Sequence, residues 1–325
     1  MSKYKVSVIL PIYNVAPYLP RCLDSLLAQK LSSLEIVLVD DGSLDESGKI
    51  CDQYAEVYSN IKVYHQKNAG VSLARNAGLR IAGGDYIGFV DPDDFVAPEM
   101  YEFLYQNIRA HDSDIAVCGV RHIYKDYQEN QVYMKEKVDR KKAFYYELQY
   151  GSITCNKLFT REILKNLYYD ETVINGEDRL FAFEAISRSS SIIYDMKPLY
   201  YYYHRCGSAG TGEFREKDMQ LLNVCHKIND ILSAYAPEYL PYGLKQLWGA
   251  ERYLLERCSK KEMSSRHREL ISFLQHEIRK DWSKIIRSKC VPLSVKIGHL
   301  CAACCLPLYQ WLSIRKNTGR PTLHS

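Results

Sequence analysis

Two clusters of carboxylates stand where short apolar runs end. The run Glu35–Val39 gives way to Asp40-Asp41-Gly42-Ser43, and the run Tyr86–Val90 to Asp91-Pro92-Asp93-Asp94. Three carboxylates within four residues repel one another unless a cation or hydrogen-bond donors sit among them. Alternate residues at a strand end point the same way, so Asp91 and Asp93 can offer oxygens to one ion. That spacing suits Mg2+ or Mn2+, which take one or two protein carboxylates and fill the shell with diphosphate oxygens and water. Simpler readings stand beside this one. Asp93 or Asp94 would also cap a helix beginning near Pro98, and Asp41-Gly42-Ser43 would also serve as a tight turn.

The elements that must position these residues follow from the hydrophobic pattern. Short β-branched runs at Val6–Leu10, Glu35–Val39, Ile61–Tyr64, Tyr86–Val90 and Asp114–Val120 alternate with helical patterns of 10–16 residues. Tyr18, Cys22, Leu26 and Leu27 share one helix face; Val71, Ala74, Ala77, Gly78 and Ile81 share another. Strands alternating with helices predict an α/β fold with a mostly parallel sheet and right-handed crossovers. The strands are apolar throughout rather than alternating, so both faces of the sheet are covered. Ligands of such sheets sit at the carboxyl ends of the strands, where both acidic clusters lie. Residues 121–214 are less regular and rich in Tyr, with a helix expected after Glu177. From about 215 the pattern is helical and charged.

Composition narrows the class. A length of 325 suggests two domains at about 150 residues each, and 46% hydrophobic with 25% charged residues excludes collagen-like, low-complexity and disordered chains. The net charge of +4 hides an asymmetry. Residues 1–214 hold 24 basic and 29 acidic side chains, and residues 215–325 hold 19 and 10. An acidic front suits a metal or a hydroxylated substrate, and a basic rear suits an anionic surface. Without a recognisable motif the rear excess does not make a nucleic-acid binder. The apolar run Val6–Leu10 is too short for a signal-peptide core. Eleven irregularly spaced cysteines fit reduced thiols in a cytosol. Cys301 and Cys304 form a CxxC pair with no second pair to complete a zinc site. No G-x-G-x-x-G follows the first run, which argues against a dinucleotide-dependent oxidoreductase.

Five blocks in order resemble family 2 glycosyltransferases. They are Val6-Ser-Val-Ile-Leu-Pro11-Ile-Tyr13-Asn14, Val39-Asp40-Asp41-Gly42-Ser43, Asn68-Ala-Gly70, Ala74-Arg75-Asn76-Ala-Gly78 and Phe89-Val-Asp91-Pro92-Asp93-Asp94. The resemblance is dense over 5–120 and looser over 150–210. Leu44 departs from the Thr of many relatives. The resemblance implies the nucleotide-diphospho-sugar-binding αβα sandwich and a nucleotide-sugar donor, with UDP as the expected nucleotide. By position, Pro11 and Tyr13 would frame the nucleotide. Asp41 would read the base with Asp40 in support, Arg75 and Asn76 would face the diphosphate, and Asp91 and Asp93 would bind Mg2+ or Mn2+, Asp93 more directly.

Gly176-Glu177-Asp178 matches the position where relatives carry the catalytic base, with Asp178 preferred over Glu177. An acceptor hydroxyl is a poor nucleophile at neutral pH, and a carboxylate within reach can take its proton as it attacks the anomeric carbon. Attack opposite the leaving group inverts that centre. A helix first turn is the plainer reading of the same residues. Cys155-Asn156-Lys157-Leu158-Phe159 resembles a block of bacterial polysaccharide members. Tyr200–Tyr203 with His204 and Arg205 resembles the segment that closes the site, where Arg205 would pair with the diphosphate and His204 would do likewise or bind the metal. An aromatic strand needs no such ligand.

The resulting expectation is a catalytic domain over 1–214, with a donor half 1–120 and an acceptor half 121–214, followed by a basic helical region over 215–325. It would move a sugar to a hydroxyl of a glycan or polyprenyl-linked acceptor in polysaccharide biosynthesis. The alternative is a non-catalytic sugar-nucleotide or glycan-binding module on the same fold. Residues 291–314 contain one formal charge, Lys296, and follow the basic residues Arg279, Lys280, Lys284, Arg287 and Lys289. Pro307 breaks the stretch, so it suits an interfacial anchor on an anionic membrane better than a span, with a helix docked on the protein as the other reading. The expected location is cytoplasmic, peripheral on the inner face of the plasma membrane.

Overall fold

The computed structural model describes residues 3–124, 127–130, 134–204, 214–259, 265–289 and 291–304. The chain forms two compact units, Met1–Gly210 and Thr211–Ser325.

In the first unit, the strands among the described residues are β1 (Val6–Ile12), β2 (Leu34–Asp40), β3 (Ile61–His65), β4 (Tyr86–Phe89), β5 (Phe95–Val96), β6 (Ile115–Ile123), β7 (Gln128–Asn130), β8 (Lys135–Asp139), β9 (Lys157–Thr160) and β10 (Ser191–Tyr203). They make one sheet in the order β3-β2-β1-β4-β9-β6-β10-β5, with β7 beside β6 and β8 beside β10. Helices α1 (Leu19–Leu27), α2 (Ser47–Val57), α3 (Val71–Ile81), α4 (Met100–His111), α5 (Arg140–Tyr150) and α6 (Glu177–Arg188) accompany it. Every residue of β1 and β2 is buried, as their unbroken apolar runs require. Each such Val, Leu or Ile contributes about 1.5–3 kcal/mol by leaving water.

The parallel sheet expected from the sequence holds for β3, β2, β1 and β4. Beyond β4 the sheet is mixed. Strand β9 runs antiparallel between β4 and β6, and β10 lies parallel to β6 but antiparallel to β5 and β8. The order reverses direction at β1, whose neighbours are β2 and β4. A crevice at the carboxyl ends of strands opens at such a switch. Helix α3 sits tight against β1 there: a Cβ on Gly78 would lie 2.3 Å from Ile9 Cγ2. That close approach fixes where the Arg75 side of α3 points.

The second unit is helical: α7 (Gln220–Tyr235), α8 (Leu240–Ser259), α9 (Ser265–Lys280), α10 (Trp282–Arg287) and α11 (Leu293–Cys304). Leu254, Leu255, Leu274 and Ile278 form its core with Ala302 and Ala303 of α11, and Trp248 packs with Ile285 and Val291. Among the described residues no helix is long and apolar enough to cross a membrane. Residues 305–314 of the expected membrane-associating segment lie outside the described residues.

Candidate active site

At the end of β1, Pro11 is buried and pairs with Val39 of β2, while Tyr13 just beyond is 45% exposed. Asn14 follows in the left-handed region, at φ 50°. Its Oδ1 accepts from Leu44 N at 2.7 Å, and Ser43 Oγ accepts from its N–H at 3.2 Å. The loop after β2 is thereby tied to the end of β1. Asp40 accepts from Ser43 N at 3.0 Å, and its Oδ2 lies 2.9 Å from His65 Nδ1. Asp41, which is buried, accepts from Gln66 Nε2 at 2.7 Å and from the N–H groups of Ala69 and Gly70 at 2.8 Å each. The Asn68-Ala69-Gly70 block is thus the partner of Asp41, and Gly70 opens α3. A carboxylate offers about four lone pairs, so three internal bonds leave Asp41 one acceptor direction.

Four charged residues from three parts of the chain converge at the end of β4. Arg75 of α3 is 3% exposed, and its guanidinium meets Asp91 Oδ1 at 2.9 Å, Glu177 Oε1 at 3.0 Å and Asp178 Oδ1 at 2.9 Å. Burial opposes its charge, but the carboxylates, Asp178 foremost, hold its pKa well above the usual value. Glu177 and Asp178 form the first turn of α6, entered through Gly176 at φ 86°. The helix-start reading of that pair therefore holds, and their carboxylates also turn to Arg75. Thr154 Oγ1 donates to Asp178 at 3.0 Å and accepts from Tyr169 OH at 3.0 Å. Burial pushes the Asp178 carboxyl up to about 7; Arg75 pulls it down while Glu177 and Asp91 add to the rise. A carboxylate poised near neutrality is suited to taking a proton.

The helix-cap reading of Asp93 and Asp94 does not hold. Strand β5 intervenes, and α4 starts after Glu99 with no side-chain cap. Asp94 instead accepts from Tyr200 OH and from Tyr203 N at 2.8 Å, binding its loop to β10. Burial, then the charge of Asp91, pushes Asp94 up to about 8. Arg21 donates to the carbonyl of Asp93 at 2.8 Å and lies over the rings of Phe95 and Tyr203.

Asp91 and Asp93 are both half-buried, and Asp91 keeps 30% of its side chain exposed. Carboxylate oxygens are the hard donors that Mg2+ or Mn2+ take, but the carboxylate grouped with Asp91 is Asp178 rather than Asp93. Asp91, Cys155 and Asp178 offer ligand atoms within 4.8 Å of one another. Burial holds the Cys155 thiol well above its ordinary pKa, and a protonated thiol is a poor partner for such ions. The fit therefore rests on the carboxylates.

Asn76 departs from its expected place facing the diphosphate. It is fully buried, and both ends of its amide are spent on the backbone of Tyr169, at 2.9 and 2.7 Å. It fixes Tyr169, which in turn bonds Thr154. His204 lies against His122 and Tyr124. Arg205 lies outside the described residues. Thr154 and Tyr169 escape sequence reasoning, since a Thr and one of 27 tyrosines carry no signal by type.

Residues 7–168 match the family model for glycosyl transferase family 2. The uncharacterized glycosyltransferase EpsJ of Bacillus subtilis (strain 168) is 36% identical over 207 residues, 61% of this chain and 60% of its own. The minor teichoic acid biosynthesis protein GgaB of the same organism is 34% identical over 181 residues, 54% of this chain and 20% of its own. The chain thus spans three fifths or less of the length of these curated relatives. Crystal structures of S. aureus TarS 1-349 in complex with UDP and with UDP-GlcNAc share the fold, each at a TM-score of 0.68, with 22% and 23% identity over 98% of this chain and 93% of theirs. With the ordered sequence blocks, the fold and the carboxylate cluster in agreement, the chain belongs to glycosyltransferase family 2.

Proposed function

We propose that the protein transfers a sugar from a nucleoside diphosphate sugar, with UDP as the nucleotide, to a hydroxyl of a glycan or polyprenyl-linked acceptor in polysaccharide biosynthesis, inverting the anomeric centre. The observation that carries this reading is the convergence of Asp91, Glu177 and Asp178 on the buried Arg75. The UDP and UDP-GlcNAc complexes of TarS support the choice of donor.

Residues 1–120 hold the donor. Pro11 and Tyr13 frame the nucleotide, Asp41 accepts from the base with its remaining lone pair, and Asp40 holds the Asp41 loop. Arg205 pairs with the diphosphate. A divalent ion, Mg2+ or Mn2+, held by Asp91 and Asp93 would neutralise the charge that gathers on the leaving diphosphate. Residues 121–214 bring the acceptor. Asp178 takes the proton of the attacking hydroxyl, while Thr154 and Arg75 hold its carboxylate in position and Glu177 shares the guanidinium.

The test is Asp178→Asn, with UDP release from UDP-sugars and UDP-dependent melting shifts measured with and without Mn2+. A base contributes about 10²–10⁴-fold, so release should fall at least about 100-fold while the shift persists. Release within about tenfold of wild type removes Asp178 as base. Binding without release in the wild type would favour the non-catalytic module.

The second unit supports a cytoplasmic enzyme held peripherally on an anionic membrane. Leu293, Ile297 and Leu300 form one exposed stripe on α11, beside exposed Ile286, Arg287 and Lys289. Apolar side chains flanked by basic ones fit lipid with anionic headgroups.

A further inference from the structure

A cavity of about 420 Å³ lies among β6, β10, α5 and the chain entering β9, and its lining includes Glu147, Tyr150, Ser152, Lys157, Tyr202 and His204. It is of a size that takes small organic groups. Of the described residues assigned above to the nucleotide or the metal, His204 lines it and the others do not.

Its chemistry is neutral, polar and aromatic. Lys157 and Glu147, each 2% exposed, meet at 3.2 Å in its wall, so their charges cancel. Tyr194 OH donates to Glu147 Oε1 at 2.8 Å. His122 Nδ1 and His204 Nε2 are 3.0 Å apart, and burial lowers the pKa of both, which leaves them uncharged at neutral pH. His204 stacks on Tyr124 at 4.0 Å, and Tyr124 on Tyr127 at 4.3 Å. Two buried oxygens have no hydrogen-bond partner: Ser152 Oγ, and Glu147 Oε2, which meets Lys157 only as an ion pair. A ligand offering hydroxyls and an apolar ring face would satisfy these groups. A phosphate would find no net positive charge.

Position adds to this. In the sheet order the nucleotide residues follow β1 and β2, the carboxylate cluster follows β4, and the cavity lies at β6 and β10, past β4 from the nucleotide residues. Ser152 is two residues before Thr154, which bonds Asp178.

We propose that this cavity seats a neutral sugar residue of the acceptor, with Ser152 and Glu147 bonding its hydroxyls and Tyr150 and Tyr202 against its ring. The assignment rests on the transferase reading above.

The test uses the full chain saturated with UDP and Mn2+. Methyl β-glycosides of glucose, galactose and N-acetylglucosamine are titrated and followed by saturation-transfer NMR, with inorganic phosphate as a charged control. The expected result is binding of at least one glycoside while UDP is bound, weakened about fivefold or more by Tyr150→Ala and by Ser152→Ala. The UDP-dependent melting shift should be unchanged in both variants, which also reports that they fold. No glycoside binding in the UDP-bound protein, phosphate binding in place of glycoside, or unchanged binding in both variants would overturn the assignment. A wild-type protein whose melting temperature does not respond to UDP would instead sink the donor reading itself.

Discussion

Arg75 and Asp178 meet at 2.9 Å, and the guanidinium that holds Asp178 holds Asp91 at the same distance. One cation thus joins the expected metal loop to the expected base, from positions far apart in the chain.

Removing that cation leaves carboxylates facing one another with little water to screen them. Breaking a buried ion pair from one side costs about 3–5 kcal/mol. Arg75→Met should therefore lower the unfolding free energy by about 3 kcal/mol in a denaturant titration. Arg75→Lys keeps the charge but has no planar fork with which to bridge partners. It should recover stability more than turnover. Equal recovery of both would mean that Arg75 supplies charge alone and does not set geometry.

The Asp178 carboxyl titrates near 7 because it is buried. A base works only when ionised, so kcat/KM should rise about tenfold per pH unit below 7 and level off above about 8. Thr154 donates to the ionised form and so lowers its pKa. Thr154→Val should shift the midpoint upward, a change that a merely structural Thr would not produce. A profile flat from pH 5 to 8 would remove Asp178 from the proton transfer.

How much of this site the sequence revealed depends on the range of the contacts. Asp40, Asp41 and Asp91 were legible because each ends an apolar run, and a strand end in an α/β sheet faces the crevice. Glu177 and Asp178 were legible as a pair, but not for what they hold. Arg75 lies 16 residues from Asp91 and 102 from Glu177, and tertiary packing, including that of Gly78 on Ile9, brings them together. That packing also explains Asn76, which follows Arg75 on α3 and turns to Tyr169 in the core. Strand β9 was missed because four residues, Lys157–Thr160, are too few to show a period. Its hydrogen bonds come from β4 and β6 on either side.

Asp41 yields a test of loop and ligand together. It holds the N–H groups of Ala69 and Gly70 and the Gln66 amide. Asp41→Asn would turn one acceptor into a donor facing other donors, whichever way the amide sits. A buried hydrogen-bond mismatch costs about 1–3 kcal/mol, which chemical denaturation can read. UDP binding should weaken as well, because the remaining acceptor direction is the one offered to the base. Loss of stability with UDP affinity intact would confine Asp41 to the scaffold.

The exposed stripe of α11 makes the membrane reading separable from catalysis. Leu293 is 72% and Ile297 50% exposed, so serine at both positions should cost the fold little. Each side chain would contribute about 1.5–3 kcal/mol if it entered lipid, and the neighbouring Arg287 and Lys289 about 1 kcal/mol each near anionic headgroups. Co-sedimentation with phosphatidylserine vesicles should therefore weaken at least about tenfold in the double variant. It should also weaken in 0.5 M salt, as screening shortens the reach of the basic pair. Neutral vesicles should retain little protein. Binding to neutral and anionic vesicles alike, or binding unmoved by the serines, would show that α11 is not the contact. Donor turnover in solution should stay at the wild-type level throughout, since α11 belongs to the second unit and the carboxylate cluster to the first.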